Sequence, residues 1–132
     1  MAEPRQPIQG VPVLDHFNQA LLDHLAATPA PPIYTLTPQE AREVLLRTQS
    51  AFAFRPDSVV RDWRVNSNSQ VLRLRTIRPR SAPDFPPVIL YFHGAGWVMG
   101  DCTTHDRLMT ELAVGTNAVL LYVDYDRAPE HR

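Results

Sequence analysis

The sequence predicts an α/β fold in which helices precede a mostly parallel sheet. Three observations lead there. Val88-Ile89-Leu90-Tyr91-Phe92 is a short apolar run that ends in a glycine-bearing turn, His93-Gly94-Ala95-Gly96. Residues 118–125 form a second continuously apolar run. Between them, residues 101–114 place Leu108, Leu112 and Ala113 at helical spacing, with Gly115 as the expected stop. Strand, helix and strand in that order make a βαβ unit, whose two strands run parallel. Both strands lack polar alternation, so burial on both faces is expected.

The elements before this unit follow from local signals. Residues 1–12 read as a loose polar arm. Val13, Leu14, Phe17, Leu21, Leu22 and Leu25 then recur on one helical face over residues 13–26, and Thr28 and Pro29 stop that helix. The next helix start is better marked. Thr37 caps it, Pro38 suits its first turn and Glu40 completes a capping box. This second helix runs to about Ser50 and is expected to bury Ala41, Val44 and Leu45. Both helices can be read as packing elements or as a lid over a substrate pocket. Residues 59–66 and 70–78 are β-rich runs joined at Ser67-Asn68-Ser69, a hairpin signal. In the second run Arg73 and Arg75 alternate with Leu72, Leu74 and Thr76, which predicts an antiparallel edge with a wet arginine face. The proline-rich stretch 79–87 connects this hairpin to the βαβ unit. The expected organisation is therefore an arm with two helices over residues 1–54 and a sheet-bearing part over residues 55–132.

Composition excludes several classes. At 44% hydrophobic and 20% charged, the chain has an ordinary globular balance. A net charge of −1 without a basic block argues against a nucleic-acid partner. No run is apolar enough to span a membrane, and the polar start argues against a secretory signal. The single cysteine, Cys102, cannot form an internal disulfide. A cytoplasmic setting is the resulting expectation. The 132 residues suffice for one small core and fall well short of a complete doubly wound sheet.

The chemistry concentrates in the turn after residues 88–92. Ester cleavage by acyl transfer passes through a tetrahedral intermediate with a negative oxygen. Backbone N–H groups aimed at that oxygen stabilise it, and loss of one donor costs roughly 10²–10³ in rate. Glycines at a strand end free such N–H groups from strand pairing and let a substrate approach the backbone. The N–H groups of Ala95 and Gly96 are the best oxyanion donors, with Gly94 next. Alanine at 95 keeps the N–H and adds one methyl. His93 reads as a residue that holds the turn through a ring hydrogen bond rather than as a base, because a base needs a nucleophile beside it. Trp97 is either a packing anchor or a substrate contact. A phosphate-binding loop is disfavoured, since no Gly-x-Gly-x-x-Gly or Gly-x-x-x-x-Gly-Lys pattern is present. Asp101, His105 and Asp106 stand at a helix start, where acids meet free N–H groups, and are not read as a metal site. No cofactor is expected.

Taken together these motifs resemble the hormone-sensitive-lipase-like branch of the α/β-hydrolases, the fold-3 group. The matching features are the apolar strand with His93-Gly94-Ala95-Gly96-Trp97, Gly100-Asp101 with Thr104-His105-Asp106-Arg107-Leu108, the run 119–125, and Arg127-Ala128-Pro129-Glu130-His131. The resemblance covers about residues 55–132, and the N-terminal helices are similar to that family's lid. It implies an incomplete α/β-hydrolase fold: lid helices, an antiparallel edge hairpin and the first βαβ unit. It also implies an esterase or lipase acting on a small-molecule ester. Two departures stand out. Ala95 interrupts what is more often a glycine triplet. Asp126-Arg127-Ala128 stands where the family more often has Arg-Leu-Ala.

The family also carries a Gly-x-Ser-x-Gly nucleophile elbow, then an acid, then a histidine. Here glycines stand at 10, 94, 96, 100 and 115 and serines at 50, 58, 67, 69 and 81, so no serine is flanked by glycines. The expected function is that of the oxyanion half of a carboxylic-ester hydrolase, without activity on its own. The alternative is a non-catalytic binding or regulatory protein derived from a hydrolase. Against that alternative, the apolar strand 118–125 would be left uncovered, which predicts marginal stability or aggregation.

Overall fold

The computed structural model describes residues 14–50, 56–67 and 70–131. The arm, Val13, and the centre of the Ser67-Asn68-Ser69 turn lie outside the described residues. The chain divides into two compact units, Met1–Pro32 and Ile33–Arg132. No helix among the described residues is long and apolar enough to cross a membrane.

The first unit carries α1, His16–Ala27. Asp15 caps it, its Oδ1 accepting from the N–H of Phe17 at 3.0 Å and of Asn18 at 3.2 Å. The Thr28 hydroxyl closes the other end by donating to the His24 carbonyl at 2.9 Å. The apolar spacing is present, yet no α1 residue is buried, and Phe17 is 76% exposed.

The second unit opens with a short 3₁₀ turn, Ile33–Thr35, and α2, Pro38–Ser50. The capping box forms as the sequence predicts. The Thr37 N–H donates to Glu40 Oε2 at 2.8 Å, and the Glu40 N–H donates back to Thr37 Oγ1 at 3.3 Å. Ala41 is buried, Leu45 is half-buried and Val44 is exposed, so α2 buries less than its spacing predicts.

The sheet follows as β1 (Ser58–Ser67), β2 (Gln70–Pro79), β3 (Val88–Tyr91) and β4 (Val119–Asp124), with α3 (Asp106–Thr116) between the last two. Its order is β1-β2-β4-β3. β1 and β2 form the antiparallel hairpin, with Ser67 opposite Gln70 and Trp63 opposite Leu74. β2 pairs antiparallel with β4, and β3 pairs parallel with β4, as a βαβ crossover requires.

The helix α3 packs on one face of the sheet and makes the core there. Met109 and Ala113 of α3 meet Ile77, Leu120 and Tyr122, and Ile89, Tyr91 and Cys102 pack against this cluster. Three expectations change as a result. First, β3 and β4 are buried on one face only. Leu120 and Tyr122 are buried, while Val88 is 64% and Leu90 57% exposed on the opposite face. Second, the arginine face of β2 is wet only at Arg73, which is exposed, and is covered from Arg75 onward. Arg73, Arg75 and Ile77 share a face by strand alternation, and Ile77 lies under α3. Arg75 is accommodated there by ion pairs to Asp62 at 2.7 Å and Asp106 at 3.6 Å. Leu72, 40% exposed, and Trp63, 48% exposed, mark the opposite, open face.

The third change concerns α3 itself. It begins at Asp106, after a turn over 101–105, and runs through Gly115. Asn117 ends it in the left-handed conformation, φ 53, and the Ala118 N–H then donates to the Ala113 carbonyl. Met109 and Ala113 face the sheet, whereas Leu108 and Leu112 are exposed. Each of those leucines precedes an inward residue by one position, which turns it about 100° away from the sheet.

Candidate active site

The residues His93 to Gly100 form the loop that leaves β3. Three successive residues have positive φ: Ala95 at 92, Gly96 at 67 and Trp97 at 64. Such values favour glycine, and only the middle residue is one. A Cβ on Gly94 or Gly96 would meet nothing, so at Gly96 the requirement is conformational. Gly100 is different. A Cβ there would stand 2.6 Å from His93 Nδ1 and 3.0 Å from the Gly94 carbonyl, so a side chain has no room.

The loop is anchored through its carbonyl groups. Tyr125 Oη donates to the His93 carbonyl at 2.7 Å, and His93 Nδ1–H donates to the Gly94 carbonyl at 2.7 Å. The Met99 N–H donates to the Ala95 carbonyl, and the Ala128 N–H to the Trp97 carbonyl. Arg42 of α2 donates to the Val98 carbonyl at 2.8 Å, and Arg127 donates to that of Gly100. By contrast, the N–H groups of Gly94, Ala95 and Gly96 donate to no acceptor among the described residues. Six carbonyls of the loop thus accept donors, whereas three successive N–H groups go unused among the described residues.

His93 is 3% exposed and stacks on Tyr125 at 4.4 Å between ring centroids, with His105 at 5.3 Å. The bond to the Gly94 carbonyl places its proton on Nδ1. Burial pushes the His93 pKa below the usual histidine value, which keeps the ring neutral. No serine, cysteine or carboxylate is hydrogen-bonded to this ring among the described residues. Trp97 is 71% exposed, and its ring centroid lies 5.7 Å from that of Tyr125.

The other residues considered from sequence have local tasks. Asp101 Oδ1 accepts from the N–H groups of Thr103 and Thr104, both at 2.8 Å, and shapes the turn into α3. Thr104 Oγ1 lies 3.0 Å from His105 Nδ1. Cys102 is half-buried beside a hollow of about 410 Å³ that Arg75, Tyr122 and Asp124 also line.

Sequence reasoning missed Arg42, Tyr125 and Arg127 as site residues. Arg42 stands 56 residues before its partner Val98, and no local pattern reveals such a contact. Tyr125 and Arg127 could have been found, because they directly follow the strand that pairs with β3.

Comparisons with known proteins bear on the fold. A family model of the α/β-hydrolase fold matches residues 89–132. A protein of Acanthamoeba polyphaga mimivirus named as an α/β-hydrolase is 35% identical over 126 residues, covering 92% of this chain and 33% of that protein. The esterase LipI of Mycobacterium tuberculosis is 42% identical over 78 residues, covering 58% of this chain and 24% of its own. The crystal structure of a thermostable esterase from Pseudomonas putida superposes with a TM-score of 0.85 at 36% identity. That match takes in 94% of this chain and 39% of the esterase. The chain is similar to an N-terminal portion of the α/β-hydrolase fold-3 group. It spans a third or less of the length of the curated relatives it matches.

Proposed function

We propose that this chain supplies the oxyanion-stabilising part of a carboxylic-ester hydrolase that works by serine acyl transfer. One observation carries the reading. The N–H groups of Ala95 and Gly96, with Gly94 beside them, have no acceptor among the described residues, while donors within the turn and outside it hold its carbonyls. That polarity suits a tetrahedral oxyanion, whose negative charge needs two or three converging donors. A dedicated phosphate loop is disfavoured by the absence of a Gly-x-Gly-x-x-Gly or Gly-x-x-x-x-Gly-Lys pattern.

In this reading His93 keeps the turn in shape as a neutral donor and does not act as a base. Trp97, exposed beside the donors, is the residue placed to contact the ester's acyl or alcohol group. The substrate class is a small-molecule ester. The esterase relatives support that class, and the chain itself contributes no serine between glycines. The 132-residue chain alone is therefore expected to show no serine-dependent turnover.

Two measurements test this. Purified chain is incubated with p-nitrophenyl acetate, with and without an organophosphate serine inhibitor. Turnover that the inhibitor abolishes would refute the expected inactivity. In parallel, methylphosphonate is titrated into isotope-labelled chain, and saturable shifts of the Ala95 and Gly96 amide resonances are expected. Absence of any shift over residues 94–96 would refute the assignment of the donors.

A further inference from the structure

We propose that Arg42 of α2 is a positioning residue for the loop from His93 to Gly100, and that it couples the placement of α2 to the arrangement of the loop's N–H groups. The functional side of this inference rests on the oxyanion reading above. The contact itself stands on geometry alone.

The guanidinium of Arg42 is 16% exposed and spends four N–H donors on one region. Nε donates to the Val98 carbonyl at 2.8 Å. One terminal nitrogen, Nη2, donates to the Ala128 carbonyl at 2.9 Å and to Glu130 Oε2 at 2.7 Å. Its twin, Nη1, donates to Glu130 Oε1 at 2.8 Å. The pair with Glu130 is bidentate, the geometry in which a planar fork matches a carboxylate. Glu130 is held well below the usual carboxylate range, to about 2, by this contact. The clamp is thus charged throughout the neutral range.

These partners are the loop itself and the segment that already holds it. Val98 follows Trp97, and the Trp97 carbonyl accepts from the Ala128 N–H at 3.0 Å. Arg42 therefore grips two neighbouring backbone segments at the point where they are bonded to each other. Fixing the Val98 carbonyl on the Arg42 side limits rotation of the peptides that precede it, those of Gly96 and Trp97. The contact is also well rooted in α2. Ala41, next to Arg42, is the buried residue of that helix. A lysine has no planar fork and cannot serve two carbonyls and a carboxylate in these directions at once.

The test uses the labelled 132-residue chain and three readouts. They are amide hydrogen exchange at Met99 and Ala128, exchange at Leu120 and Tyr122 in the core, and affinity for methylphosphonate from the Ala95 and Gly96 resonances. Arg42→Ala is expected to speed exchange at Met99 and Ala128 by about tenfold or more while the core amides keep their protection. Methylphosphonate binding should weaken by about tenfold. Arg42→Lys keeps the charge and should fail to restore either property.

Wild-type exchange at Met99 and Ala128 in Arg42→Ala would overturn the proposal. So would full rescue by Arg42→Lys. If Arg42→Ala also loses core protection, Arg42→Lys decides. Loss confined to the loop supports a positioning role, and equal loss in loop and core overturns it by making Arg42 a general anchor of the fold. If wild-type chain shows no methylphosphonate shift, the oxyanion reading fails, while the exchange data still judge the Arg42 contact.

Discussion

The two faces of the sheet are built from alternate residues of the same strands, yet they are opposite in character. The face under α3 holds Leu120, Tyr122 and Ile77 together with charged Arg75, paired to Asp62 and Asp106. The other face exposes Val88, Leu90, Phe92, Leu72, Trp63 and Val65, with Arg61, Thr76 and Arg78 at the far end of the hairpin. Burial here follows the position of one helix, and hydrophobicity does not predict it. Arg75 is tolerated there because one partner, Asp106, is buried beside it and the other, Asp62, meets it from the exposed edge. The leucines are outside because no helix of their unit packs on them.

Paired truncations should separate the faces most sharply. Leu120→Ala is expected to destabilise the chain by about 2–5 kcal/mol, while Leu90→Ala one strand away should cost about 0.5 kcal/mol or less. Urea melts of the two variants would measure the gap, and equal costs would mean that the open face is covered in solution. Arg75→Ala comes next, at roughly 1.5–3 kcal/mol, because it removes a cation that pairs with the buried Asp106. A cost near zero would show that the ion pairs only offset their own desolvation.

Acid should weaken the covered face before it touches the open one. His93 lies against Tyr122 and Tyr125, and its pKa is depressed by burial, so the unfolded chain binds the proton more tightly. Its share of stability is present above the unfolded value near 6.5 and is lost as pH falls below it. Glu130, also depressed, adds a second loss between its ordinary value of 4.5 and about 2. Melting temperatures should therefore decline in two stages. His93→Asn should flatten the first, and Glu130→Gln should reduce the second, which the depressed carboxylates of Asp15, Glu40 and Asp62 share. Smallest in energy is Leu90→Ser, which should leave the melt within about 0.5 kcal/mol. It should nevertheless reduce concentration-dependent association and binding of a hydrophobic dye, both of which report the open face.

The contrast also explains what the sequence disclosed. The hairpin, the βαβ order and the Thr37–Glu40 capping box were legible because each is a local pattern with one geometric solution. The glycine-bearing turn after β3 was legible for the same reason. The face of β2 was misassigned because alternation says that two faces differ and not which one a helix will cover. Leu108 and Leu112 were misplaced because helical spacing without the true start leaves the inward direction free by one residue. Arg42 was invisible, since an arginine in an exposed-looking helix carries no sign of a partner 56 residues away.

The three positive φ values from Ala95 to Trp97 have one more consequence. Over those residues the backbone winds with the hand natural to a D-peptide. For an L-residue that hand costs about 1–2 kcal/mol, and neither Ala95 nor Trp97 has glycine's exemption. The segment does not hold this winding by its own preference. Ala128 bonds to Trp97 within it, and Tyr125, Arg42 and Arg127 hold the loop on either side of it. Release of those anchors would let the segment revert to its ordinary hand, turning the N–H groups aside with the sheet still intact. A D-alanine introduced at position 95 by chemical synthesis would remove that tendency, and the turn would keep its shape with fewer anchors.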